Sequence, residues 1–334
     1  MLLLASPRFE EHTPPPGHPE RPERALVFDA VVARWRERGA HIATPRVATR
    51  DELLRVHAAE YVDAVTHTSG RAVALDADTF TSPESVEIAL MAAGAAVQAA
   101  HHALEHGEPA IALVRPPGHH AERARAMGFC LFNNVAVAAA SAAANGAERV
   151  AIVDIDVHHG NGTQWMFFDH PRVLYISSHQ FPFYPGTGAA NEIGHGAGEN
   201  YTVNFPLEAG ATDADYAKVY AAIERVVEDF APSLLLISAG YDAHEDDPLA
   251  SMRMTTNGYA NVVAYLARAA RGRCPIAAVT EGGYDLDALK SCLDASLDVI
   301  VKGVAPVDVD GPSRRAERTL SAVRAAQGVR WRRL

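Results

Sequence analysis

The sequence is poor in cysteine and has no long apolar run. Its 334 residues include three widely separated cysteines, Cys130, Cys274 and Cys292, which suggest neither a disulfide framework nor a cysteine-based zinc site. No apolar run reaches the roughly 18–20 residues that a membrane helix needs, and the opening Met1–Ala5 is too short for a signal-peptide core. The net charge of −11 argues against nonspecific binding to nucleic acid. We therefore expect a soluble cytoplasmic protein with neither a membrane nor a nucleic-acid partner.

Short aliphatic runs alternate with longer alanine-rich segments along the chain. The runs predict strands at Leu2–Leu4, Ile111–Val114, Arg149–Ile155, Val173–Ser177, Leu234–Ser238 and Ile276–Thr280. The segments between them predict helices at Pro83–His106, Phe132–Asn145, Asp213–Phe230, Thr255–Arg271 and Asp285–Lys302. Such alternation is typical of βαβ units, and strands without polar alternation are expected to be buried on both faces. We predict a single α/β domain over residues 1–334, with a mostly parallel sheet and helices on both faces.

Polar residues and glycines follow four of these strands directly. The four stretches are Arg115–His120, Asp154–Gly162, Ala239–Asp242 and Glu281–Tyr284. In an open α/β sheet, ligands bind outside the carboxyl ends of the strands. The four stretches therefore predict one assembled site rather than four unrelated turns.

The stretch after the third strand has a pattern typical of metal ligands. If it is extended, Asp154, Asp156 and His158 face the same way, with Asp156 and His158 about 6–7 Å apart. A catalytic zinc takes about three protein ligands from carboxylates and imidazoles, and Asp242 is the natural third. The same set suits iron(II) or cobalt(II), and a lone Asp-x-His could be a hydrogen-bonded structural pair. Two buried carboxylates without a nearby cation favour the metal site.

The tandem His119-His120 follows a rigid Pro-Pro-Gly corner. Because histidine titrates near neutral pH, one imidazole could activate water beside a metal while the other stabilises charge. Asp154 and Asn161 are plausible partners that would orient these rings. Tyr284 could present its phenol to an anionic oxygen. Taken singly, the histidine pair could equally be a structural turn, and Tyr284 a core tyrosine.

Taken together, these residues resemble the histone deacetylase family, including its bacterial deacetylase-like and acetylpolyamine amidohydrolase members. The matching stretches are His18–Arg24, Arg115–His120, Gly128–Asn134, Asp154–Gln164, Tyr184–Gly188, Ser238–Pro248 and Glu281–Tyr284. The resemblance implies the arginase–deacetylase fold and a zinc-dependent deacetylase that releases acetate from an acetylated amine. Acetyl-lysine, a small acetylated amine and an acetylated polyamine are all open as substrates, as are the native metal and the oligomeric state.

The resemblance also implies a role for each matching residue. The metal ligands would be Asp156, His158 and Asp242. The catalytic residues would be His120 as general base and acid, His119 paired with Asp154, Asn161 holding His120, and Tyr284 as the oxyanion donor. The substrate channel would be lined by Gly128, Phe129, Tyr184 and Leu249. A K⁺ or Na⁺ site would use Asp154, Ser177 and backbone carbonyls around Asp156 and His158, and Arg24 would lie near an acetate-release cavity.

Three positions help to narrow the class. Asn161 replaces an aspartate found in one branch of the family, and Leu249 replaces a glutamate that reads a substrate ammonium in a vertebrate polyamine deacetylase. Gly160 stands where the binuclear manganese ureohydrolases carry a metal-ligating aspartate, which argues against that related class. A catalytically silent acyl-binding protein is the other alternative, but it would be expected to have lost Tyr284, His120 or a metal ligand.

Overall fold

A computed structural model describes residues 1–328, 330–331 and 333–334. Within this part of the chain, eight strands form one parallel sheet. In chain order the strands of the structure are β1 Leu2–Leu4, β2 His41–Ala43, β3 Val73–Ala74, β4 Phe80–Thr81, β5 Ala110–Ala112, β6 Val150–Asp154, β7 Val173–Gln180, β8 Thr202–Leu207, β9 Leu234–Ala239 and β10 Ile276–Thr280. Strands β3 and β4 pair separately as a short antiparallel hairpin.

Helices cover both faces of the sheet. They are α1 Glu23–Glu37, α2 Arg50–Leu53, α3 Ala59–Thr66, α4 Ser85–His106, α5 Asn134–Ala144, α6 Asn161–Phe167, α7 Asp213–Phe230, α8 Thr256–Ala270, α9 Leu286–Lys302 and α10 Arg314–Gln327. Each described helix is too short or too polar to cross a bilayer. Several of their ends are set by side chains: Asn133 and Asp285 accept hydrogen bonds from Ala136 N and Ala288 N, at 3.0 and 2.8 Å.

Alternate residues of the central strands enter two separate hydrophobic cores. One core joins Leu235 and Ile237 of β9 to α1, α7, α8, α9 and α10. The other joins Leu234 and Leu236 of the same strand to α3, α4 and α5. Because both faces of a central strand are buried, such a strand consists of a continuous aliphatic run. The α/β architecture with helices on both faces is confirmed.

The order of strands in the sheet creates a switch point beside β6. The order is β2-β1-β5-β10-β9-β6-β7-β8. From β6 the chain proceeds outward through β7 and β8, whereas β9, the next strand, pairs on the opposite side of β6 and is followed by β10. The carboxyl ends of β6 and β9 therefore lie side by side where the direction of winding reverses, which is the usual place for a binding crevice.

The six predicted strands are present, β1 and β10 with the predicted ends and the other four with shifted ends, and further elements appear. Strand β6 ends at Asp154 instead of Ile155, and β7 continues to Gln180 instead of ending at Ser177. The edge strands β2 and β8 were not predicted, nor were the helices α1 and α3. The parallel partner of an edge strand is distant in sequence, so local patterning alone gives little sign of it.

Replacing Leu236 with alanine should destabilise the protein by about 2–5 kcal/mol, because a leucine deletion in a closely packed core leaves a cavity. Leu236 is fully buried in the central strand β9. The measurement is the free energy of unfolding from a urea titration. Leu26→Ala is the matched control, since Leu26 is 52% exposed and its loss should cost less than about 0.5 kcal/mol. Equal values for the two variants would contradict the packing described above.

Candidate active site

The three expected metal ligands converge at the switch point. One ligand atom each from Asp156, His158 and Asp242 lies within 4.8 Å of the others. His158 Nδ1 is 3.1 Å from Asp156 Oδ1 and 3.0 Å from Asp242 Oδ2. The two carboxylates are fully buried and the imidazole is 9% exposed. Two carboxylates and an imidazole form a donor set that could hold a metal ion.

The chain after β6 is curled rather than extended. Asp154 Oδ1 accepts a hydrogen bond from Asp156 N at 3.2 Å, and Asp156 Oδ1 accepts one from His158 N at 2.9 Å. Aspartate side chains commonly bend the chain in this way by bonding the backbone two residues ahead. The expectation of an extended Asp154–His158 segment was therefore wrong. With the chain turned in this way, His158 Nδ1 lies 3.1 Å from Asp156 Oδ1.

Two glycines leave room for the carboxylates. A Cβ atom added at Gly240 would lie 2.0 Å from Asp156 Oδ2, and one at Gly282 would lie 2.2 Å from Asp242 Oδ2. Backbone amides hold both carboxylates in place: Gly282 N donates to Asp156 Oδ2 and Val157 N donates to Asp242 Oδ1, each at 2.8 Å. Any larger residue at either glycine would displace a ligand oxygen.

The buried carboxylates of Asp156 and Asp242 favour a positive charge between them. Burial opposes the charged form of His158, but hydrogen bonds to Asp156 and Asp242 outweigh it and raise the pKa of His158 to about 10. Burial, together with the charge of Asp156, raises the pKa of Asp242 to about 7. The two carboxylates thus attract a positive charge, which a bound cation would supply as well as a proton does.

His119 and His120 lie side by side with opposite electrostatic character. Their ring centroids are 4.0 Å apart. His119 Nδ1 is 3.0 Å from Asp154 Oδ2; although burial favours its neutral form, the charges of Asp154 and Asp156 raise the pKa of His119 to about 10. Burial and the neighbouring His119 and His158 lower the pKa of His120 well below its usual value. His120 Nδ1 is 2.8 Å from Asn161 Oδ1. One ring is therefore positive and the other neutral at ordinary pH.

Tyr284 and Arg24 lie together at this end of the sheet. The Arg24 guanidinium carbon is 5.1 Å from the centre of the Tyr284 ring. Arg24 is fully buried, and its Nε donates to Gly283 O at 2.8 Å. Burial raises the pKa of Tyr284 well above its usual value, so the phenol keeps its proton. Arg24 thus supports the backbone next to Tyr284. It does not line the cavity that Tyr284 borders.

A cavity of about 180 Å³ joins the histidines to the tyrosine. It is lined by Asp78, His120, Gly128, Phe129, His158, Phe183, Tyr184, Leu249 and Tyr284. All four expected channel residues are in this lining. Asp78 and Phe183 were missed by the sequence analysis, although Phe183 precedes the Tyr184 motif and its ring stacks on His158 with centroids 5.4 Å apart.

The wall formed by Gly128 and Phe129 has unusual backbone geometry. Both residues have positive φ angles, 56° and 69°, which a phenylalanine rarely adopts unless its surroundings impose it. Thr79 Oγ1 accepts a hydrogen bond from Phe129 N at 3.0 Å. A Cβ atom at Gly128 would lie 2.4 Å from His120 Cδ2, so the absence of a side chain there lets the wall close onto the histidine.

Two buried carboxylates that the sequence analysis did not select organise these loops. Glu281 accepts hydrogen bonds from Gly118 N at 2.6 Å, from His119 N at 3.1 Å and from Ser238 Oγ at 2.7 Å. Asp247 accepts from Tyr284 N at 2.7 Å and from Leu249 N at 3.0 Å. Glu281 could have been selected from the sequence, because it directly follows the predicted strand β10. Asp247 follows no strand directly, so the local sequence offered no sign of its role.

The residues expected at a monovalent-cation site are neighbours on adjacent strands. Asp154 of β6 pairs in register with Ser177 of β7, and both are fully buried. Ser177 Oγ is 2.9 Å from His179 Nδ1, and Asp154 Oδ2 accepts from the Tyr175 hydroxyl at 3.2 Å. The register thus places these two residues side by side at the carboxyl ends of β6 and β7.

The fold and the site define a protein of the deacetylase class, and comparisons agree. The family model described as "Histone deacetylase domain" matches residues 18–300. A "Probable deacetylase" of Archaeoglobus fulgidus is 41% identical over 84% of this chain and 80% of its own. The human "Polyamine deacetylase HDAC10" is 36% identical over 94% of this chain and 50% of its own. The crystal structure of the HDA15 HD domain is similar, with a TM-score of 0.92 and 36% identity over 99% of this chain and 95% of that one.

The chain belongs to the histone deacetylase family. Its eight-stranded parallel sheet with helices on both faces is the arginase–deacetylase fold of that structural neighbour. Members of the family are generally metal-dependent, and the buried group of Asp156, His158 and Asp242 could hold such an ion.

Replacing Gly240 with alanine should weaken metal binding at least about tenfold, because the added methyl group would displace the Asp156 oxygen that lies 2.0 Å away. The measurement is metal content by elemental analysis after dialysis against a graded zinc buffer. Gly107→Ala is the control: its added methyl group meets open space, and its φ of 68° strains an alanine there, so this variant loses stability without any change at the ligands and should keep its metal. Full occupancy of the Gly240→Ala variant at limiting zinc would contradict the ligand assignment.

Proposed function

We propose that this protein is a zinc-dependent deacetylase that hydrolyses an acetylated amine to the free amine and acetate. The observation that supports this most strongly is the convergence of the Asp156, His158 and Asp242 group with His120 and Tyr284 around one cavity. A cation site, a neutral imidazole and a protonated phenol are the groups that hydrolysis of an unactivated amide needs.

Zinc fits the donor set, because two carboxylates and one imidazole provide three protein ligands and leave coordination positions for water and substrate. When bound, the ion would supply Lewis acidity, which polarises a carbonyl and makes water easier to deprotonate. The same ligands suit iron(II) and cobalt(II). The glycines at 240 and 282 support this assignment, since they keep the carboxylate oxygens free to approach one another.

In this proposal His120 is the general base and then the general acid. Its lowered pKa keeps the ring neutral and able to take a proton from the attacking water. The ring then returns that proton to the amine as it leaves. His119, held by Asp154, stays positive and stabilises the negative charge that develops beside it. Asn161 holds the far nitrogen of His120, which fixes the direction of its ring.

Tyr284 donates a hydrogen bond to the oxygen of the tetrahedral intermediate. Burial keeps its hydroxyl protonated, so the donor is available at any ordinary pH. Asp247 and Arg24 fix the loop that carries the tyrosine, through Tyr284 N and Gly283 O. A donor that is already oriented need not reorganise during the reaction, which is why such contacts contribute strongly to catalysis.

The cavity accepts an extended acyl-amine arm. Phe129, Tyr184, Gly128 and Leu249 all line it, and Gly128 lies next to His120. The neutral Leu249 offers no carboxylate to a distant ammonium, whereas Asp78 in the same lining does. Acetyl-lysine and small acetylated amines or polyamines are therefore the substrate classes to compare.

Two supporting sites complete the proposal. Asp154 and Ser177, with backbone carbonyls around Asp156 and His158, would bind K⁺ or Na⁺ and balance the buried carboxylates. Arg24 would lie near the acetate-release cavity, with its buried guanidinium held in place by an ion pair to Glu20 Oε1 at 3.0 Å.

The geometry gives no support to a binuclear ureohydrolase. A Cβ atom at Gly160 would lie 2.3 Å from Asp154 Oδ2 and 2.6 Å from the Tyr175 hydroxyl oxygen. A second metal-ligating side chain at this position would therefore not fit without rearrangement. A silent acyl-binding protein is not favoured either, since the base, the phenol and the three ligands are all present.

The decisive experiment compares acetyl-lysine peptides, acetylpolyamines and short acetylated amines as substrates of the zinc-loaded protein. We expect release of free amine and acetate from at least one class, and loss of that activity after treatment with a chelator. The class with the largest kcat/KM is the substrate class. Binding of the acetylated compounds without any hydrolysis would instead assign the silent acyl-binding role.

Tyr284→Phe should lower kcat at least about a hundredfold, because it removes the phenol donor aimed at the developing oxyanion. Metal content should stay unchanged, since the phenol is not one of the three ligands. The measurements are steady-state kinetics and elemental analysis. Tyr265→Phe on α8 is the matched control and should keep full turnover. Near-normal turnover of Tyr284→Phe would remove this residue from the mechanism.

A further inference from the structure

Glu122 lies two residues beyond His120 and has no role in the mechanism so far. Its Oε1 accepts a hydrogen bond from Asn161 Nδ2 at 2.8 Å. Its backbone is anchored on both sides: Glu122 N donates to Arg125 O at 2.9 Å, and Glu122 O is 3.0 Å from His57 Nδ1. Asn133 N donates to the other ring nitrogen of His57 at 3.0 Å, so His57 Nδ1 carries the proton that bonds Glu122 O. The carboxylate is therefore held in a fixed position beside Asn161.

The amide of Asn161 contacts groups of opposite kind at its two ends. Its nitrogen faces the Glu122 carboxylate and, at 3.4 Å, the thioether sulfur of Met127, while its oxygen faces His120 Nδ1. A carboxylate and a thioether sulfur accept hydrogen bonds and cannot donate them. If the amide turned over, its oxygen would face two acceptors and the Glu122 hydrogen bond would be lost. The orientation of Asn161 thus follows from the chemistry of its neighbours.

This orientation decides which nitrogen of His120 carries the proton. The carbonyl oxygen of Asn161 can only accept, so the hydrogen bond between the two residues requires the proton on His120 Nδ1. The lone pair is then on Nε2, as a general base needs. With the amide reversed, its NH₂ group would require the lone pair on Nδ1 and put the proton on Nε2, where the ring could not accept one.

We propose that Glu122 is a positioning residue, which sets the tautomer of His120 by fixing the orientation of the Asn161 amide. The proposal rests on the proposed function, in which neutral His120 takes the proton of water. It also explains why the orientation of residue 161 must be fixed by a neighbour when that residue is an asparagine. An aspartate has two equivalent oxygens and presents an acceptor to His120 in either orientation, whereas an asparagine presents an acceptor in only one.

The test transposes the donor and the acceptor between the two residues. In Glu122→Gln, the new amide can face Asn161 with either end, so both orientations of Asn161 become possible. We expect kcat to fall about tenfold, which is less than the full contribution of general-base catalysis. KM should change less than about twofold, because neither residue is among those lining the substrate cavity. Asn161→Asp alone should also lower kcat, because it places two carboxylates against each other.

The double variant Glu122→Gln with Asn161→Asp restores a donor facing an acceptor in the same space. We expect its kcat to recover to within about threefold of the unmodified enzyme, because the tautomer of His120 is again fixed. Circular dichroism and the midpoint of thermal unfolding serve as controls for folding in all three variants. A double variant no better than either single one, or a Glu122→Gln variant with unchanged kcat, would overturn the proposal.

A second measurement does not depend on turnover. In the ¹⁵N-histidine-labelled protein, long-range proton–nitrogen correlation spectra distinguish the two neutral tautomers, and His120→Ala identifies the signals of this ring. We expect His120 to be protonated on Nδ1 in the unmodified protein and mostly on Nε2 in Glu122→Gln. An Nε2-protonated ring in the unmodified protein would overturn the inference about Glu122. Failure of every acetylated substrate with the Nδ1 tautomer in place would instead overturn the proposed deacetylase activity.

Discussion

The buried negative charge of Asp156 and Asp242 is the constraint on which the rest of the site depends. These carboxylates lie at adjacent strand ends with water excluded, and burial without a positive partner would be costly. Hydrogen bonds from His158 and from backbone amides offset part of this cost. The glycines at 240 and 282 leave room for the carboxylate oxygens. A cation is the partner that this arrangement of carboxylates accommodates. The parallel sheet creates the arrangement by bringing the carboxyl ends of β6 and β9 together.

The same charge distribution separates the two neighbouring histidines. Asp154 stabilises the positive form of His119, and that positive ring then favours the neutral form of His120. Two chemically identical side chains thus become one fixed charge and one proton acceptor. The difference arises from partners on other elements, because Asp154 ends β6 and Asn161 begins α6.

The strands, and the gathering of polar residues at their carboxyl ends, were predictable because their signals are local. A parallel strand buried on both faces is a continuous aliphatic run, and the polar residues that follow it mark the carboxyl edge. Edge strands such as β8, which contains Asn204 and Pro206, lack such a run. The curled path of Asp154–His158 was missed, because alternation along an extended strand was assumed where the aspartates instead bond the backbone ahead.

The sequence by itself determined which chemical groups this protein has: two carboxylates and an imidazole for a cation, a histidine pair and a phenol, each next to a glycine or a turn. Only the tertiary structure decided how these groups are oriented. Glu281, Asp247 and Glu122 act through hydrogen bonds to residues 37 to 163 positions away. Such contacts depend on how loops from different strands meet, and this geometry has no counterpart in local sequence patterns.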